Sequence, residues 1–340
     1  MFGLELASAG PSVAADGRPE FLEGRHRLLA TARSAFALLH RSLQPRRVWL
    51  PSYLCGVILP AFSEPIAAIR FYAIDERLRL ADDTWLAEVQ PGDLVVFIDY
   101  FGFKHWDEWG QAARARGAWV VEDACQALLI DRYSAHAHYV VFSPRKFVGV
   151  PDGGILLAQG DAALPADPLS PPPADWWVAA LTASIRRAEF DRTAGSEDRS
   201  WYQLFQKVEP AGPVAPTAMS ELSAFILKHW CNWSEIARRR RANYGRLAEA
   251  MREFALFPEL PSGVVPLGFP ARFANRNVVQ SALFAQQIYP STHWRLRDIV
   301  PASFTRSHSL AEQILTIPCD QRYGPGSIRR IIATLRKIAN

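Results

Sequence analysis

Two short stretches of this sequence hold residue types that could do chemistry together. One is EDACQA, residues 122–127, which closes the apolar run AWVV; the other is FSPRKFVGVPDGG, residues 142–154, which follows the apolar run YVV. In open parallel sheets, ligands bind just outside the carboxyl ends of the strands, so packing is a poor explanation for two carboxylates there. Asp123 could hold a proton on the ring nitrogen of a heterocyclic cofactor and turn that ring into an electron sink. Lys146 could attack an aldehyde, because a desolvated pocket and a cationic neighbour such as Arg145 lower an amine's affinity for a proton. Each residue also has a plainer reading. Asp123 could cap the helix that follows its strand, and Lys146 could be a solvated lysine in a basic turn. The pairing argues for chemistry: the two lie 23 residues apart on the ends of two expected sheet strands.

The flanking segments supply the scaffold. The stretches RRVWLP, AAIRFYAI, GDLVVFIDYFG, AWVVEDACQA and YVVFS read as strands, and continuous apolar runs such as Leu94 to Ile98 suit parallel strands buried on both faces. KHWDEWGQAARARG reads as a helix stopped by Gly117, and TARSAFALLHRSL as a helix with Thr31 or Ser34 near its start. GVILPAF reads as the start of a helix broken by Pro60. Strand, helix, strand at this spacing predicts a parallel α/β sheet with helices on both faces. Beyond GGILLAQG, the Pro-rich stretch ALPADPLSPPPADWW suggests a loop or lid, with Trp176, Trp177 and Trp201 lining it or a partner surface. A long helical region follows, then short strands in VVPLGFPARF, IYPSTHWRL and ILTIPCD, and a closing helix, SIRRIIATLRKIAN. The expected division is a large domain over 1–225, with an irregular arm over 1–23, and a smaller C-terminal α/β domain over 226–340.

Bulk properties exclude several classes. Apolar residues make up 49% and charged residues 21% of the 340, which suits a globular enzyme and not a disordered chain. A net charge of +4, spread along the chain, predicts no nucleic-acid partner; the run Arg238 to Arg241 reads as a solvated face or a dimer contact. No stretch approaches the ~20 apolar residues of a membrane span, and the first residues lack a signal-peptide pattern, so the expected location is cytoplasmic. Cys55, Cys125, Cys231 and Cys319 show no metal-ligand spacing and read as free thiols; no metal is expected.

EDACQA together with SPRK and PDGG resembles the DegT/StrS family of pyridoxal-5′-phosphate (PLP)-dependent sugar aminotransferases. PSYLCGVILPAF, MSELSAFIL, RRRRANYGRL and FTRSHSLAEQILTIP are similar to further segments of that family, so the resemblance covers most of the chain. It implies the PLP-dependent transferase fold of type I, and PLP as cofactor. It makes Lys146 the residue that holds the cofactor covalently and Asp123 the partner of the pyridine nitrogen. Gln126 would lie near the phenolic oxygen, and Tyr53 would stack on the ring. Ala32, Arg33 and Ser34 would form the phosphate cradle at a helix start. The implied reaction moves an amino group from an amino acid, glutamate, to a keto acceptor, a nucleotide-linked keto-sugar. The implied assembly is a homodimer.

Three departures bear on that resemblance. The cradle reads TARSA and lacks the family's Gly; Val141 stands where the family has a Ser; and PTAMSE, residues 216–221, lacks the family's Asn. Ser143, three residues before Lys146, gives an S-x-x-K spacing like that of other PLP enzymes, so Ser143 and Arg145 are candidates to hold the phosphate instead. Two rival readings stay open: a lyase or dehydratase reaction on the same fold, and a non-catalytic relative that serves as a structural or regulatory partner. His308 is a further candidate to approach the site.

Overall fold

The computed structural model describes residues 19–63, 67–193 and 198–339. Most of the expected N-terminal arm therefore lies outside the described residues; its end is one helical turn, α1 (Glu20–Glu23). The main sheet has seven strands: β1 (His26–Leu29), β2 (Arg47–Pro51), β3 (Ala68–Tyr72), β4 (Leu94–Ile98), β5 (Trp119–Asp123), β6 (Tyr139–Phe142) and β7 (Gly154–Ala158). Their spatial order is β1-β7-β6-β5-β4-β2-β3, and β7 alone runs opposite in direction to the other six. The sheet is thus mainly parallel, as expected, but mixed. The reversal of β7 is a consequence of the tight turn after Lys146, which leaves too little chain for a crossover helix. β4, β6 and β7 are buried at every position, which is why their sequences read as unbroken apolar runs.

Helix α2 (Ala32–Leu43) follows β1 directly, and α3 (Asp107–Ala115) links β4 to β5. Thr31 is the N-cap of α2, its hydroxyl accepting from the Ser34 amide at 3.0 Å. Gly117, at φ +79°, follows α3 in the left-handed conformation that ends many helices. GVILPAF is a 3-10 helix, Gly56–Phe62, and Pro60 sits inside it without ending it. The Pro-rich stretch runs only to Pro173. Trp176 and Trp177 belong to helix α4 (Ala174–Arg192), which forms a hairpin with α5 (Ser200–Val208).

The long helical region divides into α6 (Glu221–His229) and α7 (Trp233–Ala250), so the expected boundary at 225/226 falls inside an unbroken helix. Beyond it are β8 (Phe269–Arg272), α8 (Arg276–Ala285), α9 (Thr305–Gln313), β9 (Ile314–Ile317) and α10 (Pro325–Ala339). β8 and β9 pair antiparallel. IYPSTHWRL is not a strand; it contributes one isolated bridge, Ser291 to Thr316, to the edge of that small sheet.

The Arg238–Arg241 run is not a uniformly solvated face. Arg240 is fully buried, donating from Nε to Gln321 at 2.8 Å and from its terminal nitrogens to the carbonyls of Pro266, Leu267 and Phe147. Its guanidinium also stacks 4.4 Å from the Phe147 ring centroid. Gln321 donates to the same Phe147 carbonyl at 2.6 Å, so two C-terminal side chains grip the residue next to Lys146. Arg238 and Arg239 pair with Glu235 on the surface, where such pairs contribute little to stability.

Candidate active site

β5 and β6 are parallel neighbours, with Asp123 opposite Val141, so their carboxyl ends present EDACQA and SPRK to one crevice. Asp123 is nine-tenths buried. Its Oδ1 accepts from the Cys125 amide at 3.0 Å, a turn-capping role. Capping is therefore present and uses one oxygen of the carboxylate.

Lys146 ends a 3-10 turn, Pro144–Lys146, and is half-buried. Burial pushes the Cys55 thiol up, the Lys146 ammonium pulls it down, and Glu209 and Asp123 raise it again. Cys125, raised by burial first, likewise feels Asp123 and Lys146. Lys146 and Asp123 thus act on the same two thiols. The turn is held from several sides. Asp152 of PDGG accepts from the Ser220 amide at 2.7 Å and from the Ser220 and Ser223 hydroxyls, which pins the turn to the start of α6. Gly153 donates to the Ala30 carbonyl at 2.7 Å. A Cβ on Gly154 would lie 2.2 Å from the Thr31 carbonyl carbon, so only glycine lets β7 pass against the start of α2.

Gln126 is 1% exposed; its Oε1 accepts from the Phe101 amide at 2.8 Å, and its Nε2 is buried with no acceptor. An orphaned buried donor is costly and points to a missing acceptor. The Ser143 hydroxyl makes no hydrogen bond among the described residues, and Arg145 Nε is a second buried donor without an acceptor. A terminal nitrogen of Arg145 donates to both carboxylate oxygens of Glu209, at 3.0 and 2.8 Å. Arg33 donates to the Glu209 carbonyl at 2.9 Å.

Two expected roles change. The Ser34 amide is already used by its own helix cap, and its hydroxyl donates to the Pro213 carbonyl at 3.1 Å, so both Ser34 donors are engaged within the chain. The amides of Ala32 and Arg33, by contrast, donate to no acceptor among the described residues. Tyr53 is a core aromatic with no open face: it is fully buried, its ring packs against Tyr100 and Trp294, and its hydroxyl donates to the His293 carbonyl. His308 turns away, toward the carbonyls of Val300 and Pro301.

The site contains residues that sequence reasoning missed. His293, from the segment expected to be a strand, bonds through Nδ1 to Thr316 Oγ1 at 2.7 Å. Burial, reinforced by the Lys146 ammonium, holds its pKa down at about 3, so it is a neutral imidazole at neutral pH. Behind Asp123, Glu122 pairs with Lys104 at 2.9 Å, and Asp99 accepts from Trp106 Nε1 at 2.7 Å. Burial first, and the Glu122 charge second, raise the Asp99 carboxyl well above its usual range. Arg240 has a signal that could have exposed it: Ile236, Arg240, Tyr244 and Ala248 recur every four residues along one buried stripe.

This fold is shared with known aminotransferases. Spr1654 from Streptococcus pneumoniae, described as a putative sugar aminotransferase in its PMP form, superposes with a TM-score of 0.69 at 12% identity, over 94% of this chain and 89% of that one. Helicobacter pylori PseC, an aminotransferase involved in the biosynthesis of pseudoaminic acid, gives 0.68 at 14% identity, over 94% and 88%. DesV of S. venezuelae, solved with a ketimine intermediate, gives 0.66 at 19% identity, over 94% and 86%. The likeness establishes the architecture. No family model matches the chain, and no curated protein matches it in sequence.

Proposed function

We propose that the protein is a PLP-dependent aminotransferase that passes an amino group from an amino acid, glutamate, to the keto group of a nucleotide-linked sugar. The observation that carries this reading is the placement of Lys146, Asp123 and the orphaned Gln126 Nε2 just beyond the carboxyl ends of β5 and β6. These groups fit PLP. A ring nitrogen would answer Asp123, and a phenolic oxygen would answer Gln126. A phosphate would answer Arg33, Arg145, Ser143 and the two spare amides of α2. When bound, PLP supplies a protonated ring that draws electron density from the substrate carbon. Asp123 would keep the proton on the ring nitrogen. Lys146 Nζ would take the proton from the substrate carbon and return it at the cofactor carbon. Neutral His293 adds no positive charge that would compete with Lys146. The sugar acceptor is supported by the structural neighbours described as sugar aminotransferases.

The test is a half-reaction. Protein loaded with PLP should absorb visible light, and adding glutamate without an acceptor should shift that band and release 2-oxoglutarate. A protein that takes up no PLP would refute the reading.

The phosphate contacts give a separate expectation. Ser143→Ala removes one charge-assisted hydrogen bond, worth roughly 1.5–3 kcal/mol, so PLP should bind on the order of ten- to a hundredfold more weakly. Titration of the two apoproteins with PLP checks this, and equal affinities would remove Ser143 from the phosphate contacts.

A further inference from the structure

We infer that Glu209 and the loop behind it are a built-in stand-in for the phosphate, holding its pocket closed until the phosphate monoester of the cofactor displaces them. The inference rests on the PLP reading for the identity of the ligand and on the following geometry for the pocket. Residues 209–213 leave α5 and lie across the start of α2. They present four acceptor oxygens there. Arg145 donates to both Glu209 carboxylate oxygens, at 3.0 and 2.8 Å, and Arg33 donates to the Glu209 carbonyl at 2.9 Å. The Pro213 carbonyl accepts from Thr31 Oγ1 at 2.7 Å and from Ser34 Oγ at 3.1 Å. The contact is close: a Cβ on Gly212 would lie 2.4 Å from an Arg33 terminal nitrogen. Two guanidiniums, two hydroxyls and a helix N-terminus converging on acceptor oxygens is the donor set that an anion requires. Here the chain itself supplies the oxygens.

The stand-in is weaker than a phosphate. A carboxylate carries one charge, whereas a phosphate monoester carries nearly two and offers three acceptor oxygens. The loop leaves Arg145 Nε without an acceptor. Its anchorage is slight, because α4 and α5 pack mainly on each other and join the rest of the core through a small cluster: Ala30, Trp176, Ala180 and Val208. Burial pushes the Glu209 carboxyl up, but Arg145 and Arg33 outweigh it and hold it below the usual range, so the stand-in remains charged at neutral pH. A pocket closed most of the time lowers the apparent affinity for any anion by the fraction that is open.

Glu209→Gln keeps the shape and removes the charge. The variant should bind inorganic phosphate and PLP each on the order of tenfold more tightly than wild type in calorimetric titrations. In wild type, adding either anion should speed hydrogen exchange across residues 209–213, where the Gly212 amide is bonded to the Glu209 carbonyl. A folded variant with equal or weaker phosphate affinity overturns the inference, as does phosphate that binds to neither protein. If the variant does not fold, the wild-type exchange experiment decides: bound phosphate with unchanged exchange at 209–213 overturns it. The two readings fail separately. Phosphate that binds more tightly to the variant, in a protein that takes up no PLP, keeps the stand-in and removes the cofactor; PLP bound equally by both proteins does the reverse.

Discussion

Borohydride treatment of the PLP-loaded protein should fix the cofactor to the peptide spanning residues 142–150, and Lys146→Ala should abolish both the labelling and the turnover. Lys146 is the nucleophile and the proton carrier in this reading, so no neighbouring group can substitute for it. The fold should survive, because Lys146 is half-buried and its side chain makes no hydrogen bond or ion pair among the described residues, whereas its turn is pinned through Phe147 and Asp152. Melting temperature and the labelled peptide, measured together, separate chemistry from folding. Labelling at Lys104 or Lys207 would move the site. Lys104 is an implausible alternative, since its ammonium is committed to Glu122 at 2.9 Å and the nearby carboxyl groups raise its pKa against the effect of burial.

Asp123→Asn should lower the catalytic rate by several orders of magnitude and leave substrate affinity and fold nearly unchanged. Asparagine can still accept from the Cys125 amide through its side-chain oxygen, so the turn cap at 3.0 Å is preserved. What it cannot do is hold a proton on a ring nitrogen, and that interaction matters most where charge develops on the ring. Steady-state kinetics on a folded variant provide the check. Near-normal turnover would mean that capping is the only role of Asp123.

The positions of these two residues were legible because parallel strands buried on both faces impose a continuous apolar run, and the point where the run stops marks the carboxyl end of the strand. Val120 and Val121 end in Glu122 and Asp123, and Val140 to Phe142 end in Ser143, by a rule that needs no knowledge of neighbours. The same periodicity located β2, β3 and β4. Thr31 was legible as a cap because capping is a contact over three residues.

The tertiary structure decided what depends on partners far away in the chain. The apolar stripe of α7 puts Arg240 on the inward face, but the partners that make its burial tolerable lie far away in the chain: Gln321, Phe147 and the carbonyls of Pro266 and Leu267. Tyr53 reads equally well as a ligand-stacking ring or a core ring, and Trp294, 241 residues later, makes it the latter. The Ser34 amide is taken by Thr31 Oγ1 and its hydroxyl by the Pro213 carbonyl, and Arg145 is claimed by Glu209. Local sequence therefore determined the strands, the caps and the places of Asp123 and Lys146 just beyond two strand ends, since each follows from backbone period or short-range hydrogen bonding. The fold alone determined which of the remaining polar groups are paired and which are left with an open bond, because satisfying a buried donor is a property of whatever the chain brings against it.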